Sequence, residues 1–126
     1  MTMIKRVLLV DDEPDIRMIA AISLERLGGW EVVAVGSGRE ALTEAQARRP
    51  DLILLDVMMP DMDGTATFGE LQQLPETRDI PVIFLTAKVQ PQEVSRYLSL
   101  GACGVIRKPF DPLSLPDRIR SIVEVE

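Results

Sequence analysis

Apolar residues fall along this chain in two alternating rhythms. Val7-Leu8-Leu9-Val10, Leu52-Ile53-Leu54-Leu55 and Val82-Ile83-Phe84-Leu85 are short unbroken runs. A strand buried on both faces needs such a run, because neither face can be polar. Residues 31–35 and 104–106 read as the second and fifth strands of the same set. Between the runs, apolar positions recur at helical spacing. Ile16, Ile19, Ala20 and Leu27 make the first such stripe, opened by Pro14 and stopped by Gly28-Gly29. Ser37 and Glu40 form a capping-box pattern for a second helix, which ends before Pro50. Phe68 and Leu71 mark a third helix, stopped by Pro75, and Val94, Tyr97 and Leu98 a fourth, between Pro91 and Gly101. The fifth must accommodate Pro112 and Pro116. It is therefore placed from Ser114 as N-cap, with Asp117 three residues on and Ile119, Ile122 and Val123 as its buried stripe.

Strict alternation of strand and helix predicts a parallel sheet with right-handed crossovers and helices on both faces. The fold class is α/β: one three-layer, flavodoxin-like domain over residues 1–126, with five strands in the order 2-1-3-4-5 and five helices. Composition agrees, at 46% hydrophobic and 27% charged, and rules out a disordered chain. A net charge of −6 argues against direct nucleic-acid binding, which needs a basic face. With one cysteine and no histidine, the chain offers neither an intrachain disulfide nor a zinc site, which suits a reducing cytoplasm. The apolar run near the N-terminus is too short for a signal peptide or a membrane span.

The polar residues at the strand ends change the picture most. Asp11 and Asp12 follow the first run, Asp56 the third, Thr86 the fourth, and Lys108 the fifth strand. In an open parallel sheet ligands bind at that carboxyl edge, where the strand order reverses, here between the first and third strands. Three carboxylates in one crevice repel one another, and a divalent cation with hard oxygen ligands relieves the conflict, which points to magnesium. Three carboxylates, one magnesium ion and the Lys108 ammonium sum to zero charge. A carboxylate nucleophile could then meet a phosphoryl group without prohibitive repulsion. Singly, each residue has a plainer use: an aspartate after a strand caps a helix or makes a turn, a threonine ends a strand, and a lysine is solvated. The functional reading rests on the set.

Leu9-Val10-Asp11-Asp12-Glu13-Pro14, the stretch from Asp51 through Asp56 and Pro60 to Asp63-Gly64, Pro81 to Ala87, and Lys108-Pro109-Phe110 together resemble the response-regulator receiver family of two-component signalling (CheY-like). The likeness runs over essentially the whole chain. It implies that Asp56 is the phosphoacceptor, taking its phosphoryl group from a histidine kinase or histidine phosphotransfer protein. It implies that Asp12 ligates magnesium directly, Asp11 chiefly through water, and the Met58 backbone carbonyl as a further ligand. Thr86 and Lys108 would hold the phosphoryl oxygens, Lys108 pairing with Asp56 beforehand, and the Lys108–Pro109 bond would be cis. The output surface would be the fourth helix, fifth strand and fifth helix, which also allows a phosphorylation-dependent dimer. The domain would catalyse only its own phosphorylation and dephosphorylation, in the cytoplasm, and signal to an output partner the sequence does not name. A free-standing regulator is the preferred expectation, with a piece of a longer regulator as the alternative.

Departures from the family pattern carry their own expectations. Val105 stands three residues before the lysine, where the family commonly has a switching aromatic ring, so the readout must differ from a threonine–aromatic coupling. Met58 and Lys88 occupy the positions that tune water's access to the acyl phosphate, and neither orients a water as an amide or acid would, so a long-lived phosphorylated state is expected. Tyr97 and Cys103 fall near the output surface, with core packing and an inert buried thiol as their plainer readings. Two rivals stand beside the main reading. One is a phosphatase working through an aspartyl phosphate, which needs a second acid where this chain has Met58. The other is a degenerate receiver that only binds a partner, although all five polar residues are present.

Overall fold

A computed structural model describes residues 3–123. Strands and helices alternate as β1 (Arg6–Val10), α1 (Pro14–Arg26), β2 (Glu31–Val35), α2 (Gly38–Ala47), β3 (Leu52–Asp56), α3 (Gly64–Gln73), β4 (Val82–Thr86), α4 (Pro91–Leu100), β5 (Gly104–Arg107) and α5 (Leu115–Val123). The strands form one parallel sheet in the order β2-β1-β3-β4-β5, as the strand–helix alternation predicts. Every residue of β3 and β4 is buried, as are four of the five in β1. Those are the unbroken aliphatic runs, covered by helices on both sides, whereas the edge strand β2 is only partly buried.

Alternate residues along each strand feed two separate cores. Leu8, Val10, Ile53, Leu55 and Phe84 face α2, α3 and α4, where they meet Ala41, Ala45, Phe68, Leu71 and Tyr97. Val7, Leu9, Leu54, Ile83 and Leu85 face α1 and α5, where they meet Ala20, Leu24, Leu115 and Ile119. Phe84 anchors the first core. Its ring lies edge-on to Phe68 at 5.6 Å and tilted to Tyr97 at 5.2 Å, arrangements favoured by the aromatic quadrupole. Tyr97 is thus a packing residue. Cys103, by contrast, is exposed as a residue, but its thiol donates to the Val82 carbonyl at 3.4 Å and burial pushes its pKa up, so the buried, inert thiol expected from the sequence holds in part.

Two local details differ from the sequence pattern, and a third agrees with it. In α1 the buried residues are Ala20, Ser23 and Leu24, while Ile19 and Leu27 are turned to the surface. Small residues bring α1 close to the sheet, and Ser23 can be buried because its hydroxyl donates to the Pro112 carbonyl. In α5, Ser114 precedes the first helical residue as expected, but its hydroxyl turns back to the Asp111 carbonyl; Ile119 is buried, and Ile122 and Val123 only half so. At α2 the expected cap forms: Ser37 accepts from the Glu40 N–H at 3.1 Å and donates to its carboxylate at 2.9 Å.

Two strands also run one residue further than their apolar runs. Asp56 is the last residue of β3, in register with Leu85, and Thr86 the last of β4, in register with Arg107. Hydrogen bonds continue beyond the strand ends, from Val57 N to Leu85 O at 3.0 Å and from Lys108 N to Thr86 O at 2.9 Å. The sheet itself therefore fixes the backbone under these residues.

Candidate functional site

The carboxyl ends of β1 and β3 bring Asp11, Asp12 and Asp56 together. Each can offer one carboxylate oxygen such that all three atoms lie within 4.8 Å of one another. Asp11 and Asp56 are buried and Asp12 is half-buried. Both Asp11 oxygens are engaged: Oδ1 accepts from the Glu13 N–H and Oδ2 from the Lys108 ammonium, each at 2.9 Å. On Asp56, Oδ1 accepts from the Met58 N–H at 3.3 Å and lies 3.4 Å from Lys108 Nζ. Asp56 Oδ2 is buried with no hydrogen-bond partner among the described residues. An orphaned carboxylate oxygen is costly, and such exceptions mark strain or a site for a ligand.

Electrostatics follow from this arrangement. Burial, and then the charge of Asp11, push the Asp56 carboxyl up from 3.8 to about 6, against the opposing pull of Lys108 and the Met58 N–H. Burial alone would lower the Lys108 pKa. The hydrogen bond and charge of Asp11, joined by those of Asp56, outweigh it, and the ammonium is held above its usual range. Lys108 does not favour Asp56: its shorter contact is to Asp11, 2.9 Å against 3.4 Å. Thr86 is buried at the end of the next strand, where its hydroxyl accepts from the Lys88 N–H at 3.0 Å. The Lys108–Pro109 bond is cis.

A crevice of about 550 Å³ opens over Asp56, with Met58, Ile16, Ala87 and Phe110 among its walls. Its floor depends on a glycine. Gly64 starts α3 and donates to the Val57 carbonyl at 2.9 Å, and a Cβ there would collide with the Asp56 carbonyl oxygen. Asp63 caps the same helix by accepting from the Ala66 N–H at 2.9 Å. Glu13 is a site residue to which the sequence pattern assigned no role. Its carboxylate lies 3.4 Å from Lys108 Nζ, and the signal for it was the third acid in the run Asp11-Asp12-Glu13. The donor set fits a hard divalent cation: carboxylates only, clustered, with one buried oxygen unpaired.

The family model described as the response regulator receiver domain matches residues 7–120. The chain belongs to that family. Among curated relatives, this receiver is 44% identical over 119 residues to a probable transcriptional regulator, ycf27, of Cyanophora paradoxa, covering 94% of this chain and 48% of that protein. It is 38% identical to the alkaline phosphatase synthesis transcriptional regulatory protein PhoP of Bacillus subtilis, with the same coverage. The chain thus spans about half the length of the curated relatives it matches. Among solved structures, the chemotaxis response regulator CheY4 of Vibrio cholerae superposes with a TM-score of 0.87 at 32% identity, covering 95% of this chain and 99% of that one. Receivers of this kind bind magnesium at an acidic pocket and work with histidine kinases and output domains. No helix among the described residues is long and apolar enough to cross a membrane.

Proposed function

We propose that this receiver takes a phosphoryl group onto Asp56 from a phosphohistidine on a partner kinase or phosphotransfer protein, in a magnesium-dependent reaction. The observation that carries the reading is the buried, unpartnered Asp56 Oδ2, with Lys108 3.4 Å from the other oxygen of the same carboxylate. With its pKa at about 6, Asp56 is ionised at neutral pH and can act as a nucleophile. One of its oxygens forms the new P–O bond as the donor's N–P bond breaks, and the leaving imidazole is protonated from solvent. Asp12, Asp56 and the Met58 carbonyl would hold a magnesium ion directly and Asp11 chiefly through water, and the ion would supply positive charge against the phosphoryl oxygens.

Lys108 is already seated between Asp11 and Asp56, so little reorganisation separates it from an incoming phosphoryl oxygen. The Thr86 hydroxyl, which accepts from the Lys88 N–H, would donate its own proton to that group, which couples phosphorylation to the loop after β4. The change in charge then biases two surface conformations at α4, β5 and α5 by its differential interaction with each. A histidine-bearing helix has a surface to approach along: Ile19, Ile22, Leu27 and Leu113 are exposed beside the crevice, and Leu113 is 78% exposed.

The rival phosphatase chemistry lacks its second acid, because Met58 has only a thioether to offer. The test is incubation with acetyl phosphate, with and without magnesium, read by intact mass beside Asp56→Asn. Gain of one phosphoryl group that requires both magnesium and Asp56 is expected. No gain with a cognate kinase present, from folded protein shown to bind magnesium, refutes the proposal in favour of a phosphorylation-independent binding module.

A further inference from the structure

We propose that Glu13 selects among phosphodonors, by adding a fourth negative charge to the crevice and holding Lys108 from its solvent side. The inference rests on Asp56 being the phosphoacceptor. Lys108 has three N–H bonds and three carboxylates around it: Asp11 at 2.9 Å, with Asp56 and Glu13 each at 3.4 Å. Glu13 is the exposed member of that set, with 61% of its side chain accessible against 0% for Asp11 and 2% for Asp56. It therefore loses little hydration.

Position and charge both mark Glu13 as more than a helix-start residue. It sits at the N-cap of α1, yet its side chain makes no capping bond, so the carboxylate is not committed to the helix. Its backbone N–H donates to Asp11 Oδ1 at 2.9 Å, which ties its place to that of a candidate metal ligand. It also lines the crevice over Asp56. Three aspartates, one lysine and a divalent cation would balance, and Glu13 makes that assembly anionic. Arg17 does not restore the balance in the crevice: it is bound to the Asp11 carbonyl at 2.7 Å and is not among the lining residues.

A fixed charge at the mouth of the site acts on each visitor in proportion to that visitor's own charge. Because Glu13 and Asp56 each lie 3.4 Å from one ammonium nitrogen, their carboxylate oxygens are within about 7 Å of each other, where a unit charge in a solvated, salt-screened setting shifts a monoanion's rate about twofold and a dianion's about fourfold. Phosphoramidate carries an ammonium and is net monoanionic, whereas acetyl phosphate is a dianion. The site thus disfavours acyl phosphates relative to phosphoramidates, the chemical class of phosphohistidine. The same charge attracts a divalent cation.

Glu13→Gln, made in the full chain with Glu13→Asp as the charge-conserving control, tests this. At saturating magnesium, phosphorylation by acetyl phosphate should quicken about fourfold and by phosphoramidate about twofold, while magnesium affinity, measured calorimetrically without donor, should weaken about fourfold. Glu13→Asp, which keeps the charge on a shorter side chain, should fall between the unmodified protein and Glu13→Gln in all three. Faster phosphorylation alongside weaker magnesium binding is a pairing that mere disturbance of Lys108 would not give. An unchanged donor ratio, a slowing with both donors, or an unchanged magnesium affinity would overturn the proposal. If neither donor modifies even the unmodified protein, the phosphoacceptor reading is what fails, and the magnesium measurement still decides whether Glu13 sets the charge of the crevice.

Discussion

Replacing Asp56 with asparagine should make the metal-free protein more stable at neutral pH, although it removes the proposed nucleophile. In the folded state the Asp56 carboxyl has its pKa raised from 3.8 to about 6, first by burial and then by the charge of Asp11. The folded protein therefore binds a proton more tightly than the unfolded chain does, and stability declines as pH rises through the interval between the two values. The contribution of this group is full below about pH 4 and has been lost once the pH passes about 6. Each unit corresponds to 1.36 kcal/mol, so ionising Asp56 costs the native state about 3 kcal/mol at neutral pH. Asparagine has nearly the same shape and cannot ionise, so it recovers that amount. For a domain of this size the gain corresponds to a rise in Tm of roughly 10 °C. The assay is thermal and urea unfolding followed by circular dichroism, with a chelator present, at pH 7.5 and again at pH 4. A gain at pH 7.5 that vanishes at pH 4 is expected, and magnesium should narrow the gap by stabilising the unmodified protein more. A variant no more stable than the unmodified protein at pH 7.5, or a gain that persists unchanged at pH 4, would refute the reasoning.

Lys108→Ala should destabilise the protein by about 3 kcal/mol in urea unfolding, because it strips a buried carboxylate, Asp11, of its 2.9 Å ionic partner; a loss within error of zero would mean that the pair is not structural. The same variant should slow phosphorylation by acetyl phosphate at saturating magnesium. Phe84→Ala should cost about 3 to 5 kcal/mol by the same unfolding measurement, since the ring is fully buried between Phe68 and Tyr97. The phosphorylated protein should decay more slowly than seconds without a phosphatase, and Met58→Asn combined with Lys88→Gln should shorten that lifetime. Decay of the unmodified protein within seconds contradicts the role given to Met58 and Lys88.

The sequence alone determined most of the architecture, because its central strands are covered on both faces. Leu52 to Leu55 and Val82 to Leu85 could satisfy their surroundings only as interior parallel strands, and the alternating helices then left few topologies to choose from. It put forward the five polar residues as a candidate set as well, since charged or hydroxyl side chains within two residues of a buried run are conspicuous against that run. Local patterns were less informative wherever a partner distant in sequence decides the outcome. The face of α1 that is buried depends on Ser23 finding the Pro112 carbonyl, 89 residues away, and no helical periodicity carries that information.

Only the tertiary structure decided how the charges are shared. Asp11, Asp56 and Lys108 could be named as a set from the sequence, but the closer approach of Lys108 to Asp11 than to Asp56 depends on how β1, β3 and β5 are offset at their carboxyl ends. The orphaned Asp56 oxygen and the approach of Glu13 to the same ammonium arise in the same way. Coulombic energies vary steeply over a few tenths of an ångström in a partly buried crevice, so spacing along the chain could list the participants without ranking their contacts.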